Sequence, residues 1–245
     1  MSLAWTATAT RLALDPVLAV VFPSWCAACG APLGRPTRAP LCEGCWVLPR
    51  HGGPVCGCGF VLPARAEAPC GRCRRGLTPF EAGASLGPYE AGLRILVHEL
   101  KYHGRRRVAA RLAERMLAEA SVQRLLAGDP LIVPVPLHPR RRRVRGFNQA
   151  ELIARALARG AGLTLEAGAL VRQHDTPPQA GLSAAQRRRN VRGAFAARPR
   201  PSIARRPVVL IDDVFTTGAT ARACAAALRD QGATEVRVLT AARVR

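Results

Sequence analysis

Eight of the chain's nine cysteines fall between Cys26 and Cys73, and this clustering constrains the fold more than any other feature. Cys26-Ala-Ala-Cys29 is followed, after twelve residues, by Cys42-Glu-Gly-Cys45. Two such knuckles at this separation can place four thiolates tetrahedrally around one zinc ion, and Pro32, Gly34 and Pro36 favour a ribbon-like loop between them. Disulfides are the alternative, but scaffolds that dense belong to oxidising compartments. A second quartet follows, Cys56-Gly-Cys58 and Cys70-Gly-Arg-Cys73. Its first half has one intervening residue rather than two, which makes tetrahedral geometry harder to reach. The expectation is one structural zinc, with a second left open. Four thiolates leave no open coordination position, so catalysis at the metal is not expected. A segment this small lacks a core of its own and needs metal to fold.

Beyond the cysteines the pattern changes. The expected boundary lies near Leu77–Glu81, giving a cysteine-rich module over 1–79 and a larger domain over 80–245. Apolar residues at three- and four-residue spacing predict helices over Leu93–Glu99, Arg107–Leu126, Asn148–Arg159 and Ala219–Gln231, the last stopping at Gly232. Strands are expected at Leu131–Leu137, Pro207–Asp212 and Glu235–Ala241. The unbroken run Val208-Val-Leu-Ile211 suits a strand covered on both faces. Pro207–Ala241 is then a βαβ unit, and the fold class is α/β with a doubly wound parallel sheet. Cys224 falls on a helix and reads as a small apolar residue.

No apolar run is long enough to span a membrane. Leu12–Phe22, broken by Asp15 and Pro16, reads as a short amphipathic helix rather than a secretion signal, so a cytoplasmic location is expected. The net charge is +21. It points to polyanions, but all but one of the 37 basic residues are arginine, and a bias of composition would give the same balance. Lys101, the only lysine, stands out against that bias, as do the only asparagines, Asn148 and Asn190.

The sharpest motif is Val208-Val-Leu-Ile-Asp-Asp-Val-Phe-Thr-Thr-Gly-Ala-Thr220. A buried strand ends in Asp212 and Asp213, and a loop then leads into a helix. Open α/β folds bind ligands at the carboxyl ends of such strands. Backbone N–H groups at a helix N-terminus favour phosphate, Thr216, Thr217 and Thr220 add hydroxyls, and Gly218 lets the backbone approach closely. Paired carboxylates suit the two hydroxyls of a ribose. A Walker-type loop is excluded, since its lysine has no counterpart here.

This segment resembles the phosphoribosyl pyrophosphate signature of type I phosphoribosyltransferases. By that resemblance Asp212 and Asp213 hold ribose hydroxyls, Thr216, Thr217, Gly218, Ala219 and Thr220 cradle the 5′-phosphate, and Mg2+ accompanies the pyrophosphate. The whole chain is similar to the ComF/GntX family. The likeness runs through the cysteine pairs, Leu100-Lys-Tyr-His-Gly104, Val133-Pro-Val-Pro136, Arg145-Gly-Phe-Asn-Gln149 and Arg187-x-x-Asn190-Val-x-Gly-Ala-Phe195, and then the sugar-phosphate motif. The departure is Cys56-Gly-Cys58, where the family more often has two intervening residues.

The family implies a phosphoribosyltransferase-like protein linked to natural competence, single-stranded DNA and DNA-uptake partners. In this fold class the loop after the Val133–Pro136 strand faces the pyrophosphate, so Arg140–Arg143 and above all Arg145 either neutralise it or form a solvated basic loop, with Lys101 a further phosphate contact or simply an exposed helix-end lysine. Asn148 is either a site residue or a helix cap. His174–Gln186 is expected to form a lid with Arg187 and Asn190 at its base. Two functions follow: pentosyl transfer to an unread acceptor, or a basic nucleic-acid-binding protein that keeps the fold. Against the second, Trp25, Trp46, Phe60, Tyr102 and Phe147 are scattered and form no visible stacking platform.

Overall fold

The computed structural model describes residues 20, 23–34, 40–63, 65–76, 78, 80–175, 193–200 and 202–244. The expected helix at Leu12–Phe22, most of the lid, Arg187, Asn190 and part of the Leu77–Glu81 boundary lie outside the described residues.

The apolar run at 208–211 forms the inner strand that its composition demands. Among the described residues, strands β1 (Ala82–Pro88), β2 (Leu131–Pro134), β5 (Pro207–Phe215) and β6 (Glu235–Arg243) make one parallel sheet in the order β1-β6-β5-β2. A short antiparallel hairpin, β3 (Leu170–Arg172) with β4 (Phe195–Ala197), stands apart. Among the described residues, the helices that follow Phe80 are α1 (Ala91–Tyr102), α2 (Arg107–Leu117), α3 (Ala120–Leu126), α4 (Pro139–Arg145), α5 (Gln149–Ala161) and α6 (Ala219–Asp230).

Alternation along β5 sorts its side chains between two cores. Val209 and Ile211 pack with Leu96 and Leu100 of α1, Leu112 of α2 and Ile153 and Leu157 of α5. Val208 and Leu210 pack with Cys224, Ala225 and Leu228 of α6. The expected doubly wound parallel sheet is therefore what forms, and Cys224 is fully buried in the second core.

The expected helix over Arg107–Leu126 is two helices. Glu119 between them is extended, at φ −88° and ψ 126°. The bend turns Val122 and Leu126 into the first core, a gain of burial that overrides local propensity. The strand at Leu131–Leu137 stops pairing at Pro134, after which Val135 N–H still donates to Ile211 O at 2.9 Å; Pro136 has no N–H to continue. β5 runs three residues past Asp212, to Phe215.

Both cysteine clusters dock on the sheet through the β1 edge. Cys26, Leu33, Leu41 and Leu48 join the first core, whereas Cys56, Cys58, Leu62 and Cys70 join the second. The approach is backbone to backbone: Gly83 N–H donates to Gly57 O at 2.8 Å. A Cβ on Gly83 would lie 2.6 Å from Cys58 O, and one on Gly87 would lie 2.2 Å from Pro49 O. Neither backbone can yield, so Gly87→Ala is expected to cost about 1–3 kcal/mol. The check is a lowered urea midpoint with an unchanged slope.

Candidate functional site

Adjacent residues on a strand point to opposite faces, yet the Asp212 and Asp213 carboxyls stay close enough to act on each other. Asp213 is only 4% exposed and turns toward α1, where Lys101 Nζ sits 2.7 Å from its Oδ2. Lys101 is thus a half-buried ion-pair partner of Asp213 and not an exposed helix-end lysine. Periodicity places the residue on α1 but cannot show that the helix carries it to the end of β5. Burial pulls the Lys101 ammonium down, yet the neighbouring Asp213 carboxylate more than offsets this and holds it above its ordinary value.

Asp212 is half-buried, and its Oδ1 accepts the Asp213 N–H at 2.8 Å. Burial and the adjacent Asp213 charge push its carboxyl up to about 8, with Lys101 opposing them. Its charge in turn helps burial raise the Cys224 thiol on the α6 side.

Past Phe215 the chain turns sharply through Thr216 and Thr217 into α6. Gly218 is the N-cap, with φ +74°, and a Cβ there would lie 2.6 Å from Phe215 Cζ. Only glycine satisfies both constraints. Ala219 N–H donates to Thr217 Oγ1 at 3.4 Å. The result is a tight loop at the start of a 12-residue helix, whose N-terminal N–H groups and dipole favour an anion.

Arg145 ends α4, half-buried, with Nη1 donating to Gln149 Oε1 at 2.8 Å and its guanidinium 5.6 Å from the Tyr102 ring centre. Sequence reasoning missed α4 itself, although Pro139 at its start and Gly146 at its end, φ +78°, are ordinary boundary signals. Asn148 is the N-cap of α5: its Oδ1 accepts from Ala150 N–H at 3.1 Å and its Nδ2 donates to Val135 O at 2.9 Å. That fixes it as a brace between the exit of β2 and α5. His138, Arg140 and Arg141 lie 3.5–3.6 Å from Asp175, at the entry to the segment expected to be a lid.

The expectation of scattered aromatics needs one correction. Tyr102 is 64% exposed, and its ring centre lies 4.6 Å from that of His98, which is 5.3 Å from that of His103. With Arg145 above Tyr102, these rings form a small exposed platform next to Lys101. The histidines were the missed signal, since a count limited to Phe, Trp and Tyr leaves them out.

The cysteines separate into two groups, Cys26, Cys29, Cys42, Cys45 and Cys56, Cys58, Cys70, Cys73, each with its sulfurs within 4.8 Å of one another. Zinc–thiolate bonds of about 2.3 Å require tetrahedral edges of about 3.8 Å. Cys29 and Cys42 Sγ are 3.8 Å apart, Cys56 and Cys73 3.7 Å, and Cys58 and Cys70 3.7 Å. Both quartets therefore fit a zinc ion, and the one-residue spacing of Cys56-Gly-Cys58 is no obstacle. The outer contacts also repeat: Cys42 N–H donates to Cys26 Sγ at 3.4 Å and Cys70 N–H to Cys56 Sγ at 3.3 Å. Burial pushes the Cys26 thiol up, but N–H groups of Cys42, Cys29 and Ala28 outweigh it and hold it at about 6. A thiol so lowered is a ready metal ligand.

No helix among the described residues is long and apolar enough to cross a membrane. No family model matches the chain. It is 37% identical over 221 residues to DNA utilization protein YhgH of Salmonella typhi, covering 88% of this chain and 95% of that one. It is 34% identical over 208 residues to competence protein F of Haemophilus influenzae, covering 83% and 90%. Among solved structures, a glutamine phosphoribosylpyrophosphate amidotransferase from B. subtilis aligns with 59% of the chain at 25% identity and a TM-score of 0.40; the match spans 30% of that protein's length. The relatives at 34–37% identity span nearly their full lengths, and the chain belongs with them in the ComF/GntX family.

Proposed function

We propose that the carboxyl end of β5 binds phosphoribosyl pyrophosphate, or a closely related sugar phosphate, and that the protein transfers the pentosyl group within the handling of incoming DNA. The observation that carries this reading is one strand terminus bearing two acids, a lysine and a glycine-capped helix start. In it, Thr216–Thr220 hold the 5′-phosphate through backbone N–H groups and hydroxyls. Asp212 accepts hydrogen bonds from the ribose diol, and Asp213 joins it if Lys101 turns toward the pyrophosphate. Arg145 balances charge that builds on the leaving group.

The two acids offer only one or two oxygens to a metal, which suits Mg2+ held mainly by the ligand's own phosphates rather than by a protein cage. When bound, that ion neutralises pyrophosphate charge. The names of the relatives, with their references to competence and DNA utilization, support the DNA setting.

The test is calorimetric titration with phosphoribosyl pyrophosphate, with and without Mg2+. Saturable, Mg2+-dependent binding that is lost in Asp212→Asn/Asp213→Asn is the expected result, and unaltered binding in that variant overturns the reading. A pH series adds a signature. An Asp carboxyl raised from 3.8 to about 8 keeps its proton across neutral pH. The ionised acid is the better acceptor, so affinity should rise by about tenfold per pH unit below 8 and level off above it. The sign for the ligand-free protein is the reverse: folding loses stability as pH climbs from the ordinary carboxyl value to about 8.

A second reading, nucleic-acid binding without transfer, is favoured by the His98–Tyr102–His103 platform beside Arg145. Salt-sensitive binding of single-stranded DNA, unchanged in the double Asn variant and weakened in Tyr102→Ala, would select it.

A further inference from the structure

The geometry points to Arg243 as a positioning residue that ties the second cysteine cluster to the phosphate loop, so that metal held by Cys56, Cys58, Cys70 and Cys73 keeps Phe215–Gly218 in its ligand-ready shape. The inference rests on the phosphate site proposed above. Arg243 ends β6 directly opposite Phe215 and is only 7% exposed. Its guanidinium lies 4.2 Å from the Phe215 ring centre and 5.3 Å from that of Phe60. A planar cation between two rings couples them through their faces, which an ammonium on a flexible stem does not reproduce.

Each end of this contact is rigid. Phe60 lies two residues past Cys58, and its carbonyl accepts the Cys56 N–H at 2.8 Å, while Gly59 N–H donates to Cys56 O at 2.7 Å. The knuckle that holds the thiolates therefore also fixes Phe60. At the other end, the Phe215 ring fills the space where a side chain on Gly218 would be, and Val244 N–H donates to Phe215 O at 2.9 Å. Phe80 closes the side, edge-on to Phe215 with ring centres 6.1 Å apart. The narrow gap that remains is lined by Cys58 and Phe60 from the knuckle and by Thr217 and Gly218 from the loop. Loss of the ion frees the knuckle, withdraws one face of the stack and lets Phe215 swing out from under Gly218. By linkage, ligand in the loop must raise the affinity of this cluster for its metal by the same factor.

The test uses the full-length, metal-loaded protein and two readouts: hydrogen exchange at the amides of 215–219, and affinity for phosphoribosyl pyrophosphate with Mg2+. Cys73→Ser removes one ligand of the second ion alone. It should speed exchange at 215–219 at least tenfold, with the amides of 208–211 unchanged as an internal control. Phe60→Leu and Arg243→Lys keep all eight thiolates. Each should retain the metal content of the parent protein while showing the faster loop exchange and about tenfold weaker affinity. Unchanged loop exchange in all three variants overturns the coupling. So does loosening of 208–211 in step with the loop, which would mean that the metal acts on the whole fold. Should the parent protein fail to bind phosphoribosyl pyrophosphate, the functional reading falls, and the exchange data still decide the coupling.

Discussion

Lys101→Met is expected to destabilise the protein by about 3–5 kcal/mol, because it leaves the Asp213 carboxylate buried without its counter-ion. The pair is short, at 2.7 Å, with Lys101 and Asp213 side chains 20% and 6% exposed. Methionine matches the stem of lysine in length and flexibility, so lost packing contributes little. The double variant Lys101→Met/Asp213→Asn should recover most of the loss, since it removes both charges together. Urea unfolding of the four proteins gives the coupling energy directly. Additive single-variant effects would mean that no such pair operates. The sign with pH also follows. The ammonium is held above its ordinary value, so the pair's stabilisation is complete at neutral pH. It fades as pH rises from the ordinary lysine value through that raised folded-state value.

Single variants of Lys101 and Asp213 will therefore mix stability with ligand affinity, whereas Asp212→Asn will not to the same degree. Asp212 is partly open, lies near Cys224 of α6, and has its carboxyl pushed up to about 8. Its replacement by an amide alters acceptor strength while leaving Lys101 and Asp213 paired. Comparing the two acids one at a time thus separates a residue that meets the ligand from one that holds α1 against β5.

This division between the acids shows what a sequence can and cannot carry. The run Val208–Ile211 announces a strand covered on both faces, because continuous apolar character has few other outlets. The loop Thr216–Thr220 is legible for the same local reason: glycine at a left-handed cap and hydroxyls at a helix start are needs of the backbone itself. Cysteine spacing likewise reports local geometry, and it left open only Cys56-Gly-Cys58, where the fit depends on Cys70 and Cys73 arriving from elsewhere. What could not be read is what comes together across the sheet. Lys101 meets Asp213 only because α1 packs on the β1–β6–β5 face. β1 was missed because Ala82-Gly-Ala-Ser-Leu-Gly-Pro88 has no branched or aromatic strand formers. Its small residues are there for the cysteine backbone that rests on them. The break at Glu119 has no glycine or proline to mark it and follows from packing alone.

The same docking makes metal removal the most damaging single perturbation. Structural zinc contributes about 10–16 kcal/mol of apparent binding free energy in small zinc modules, comparable to or above the about 5–15 kcal/mol that holds a whole domain folded. Here the cysteine segments are not a separate appendage. Leu33, Leu41 and Leu48 of the first cluster's segment belong to the core under α1, and Leu62 and Phe80 near the second belong to the core under α6. Chelation should therefore expose both faces of the sheet and not merely unravel the first eighty residues. We expect two zinc ions per chain by elemental analysis and release in two steps. The Cys26 quartet should empty first, since Cys29 is exposed and Cys42 and Cys45 half-buried, whereas Cys56, Cys58 and Cys70 are all buried. The second step, which leaves neither quartet with metal, should coincide with cooperative loss of helix signal and a thermal midpoint lowered by roughly 20 °C or more, whereas loss of the second ion alone, with the first in place, should loosen only the loop. If both ions leave while the midpoint holds, the sheet is stable without its cysteine edge, and the closely packed glycines Gly83 and Gly87 would then tolerate alanine as well.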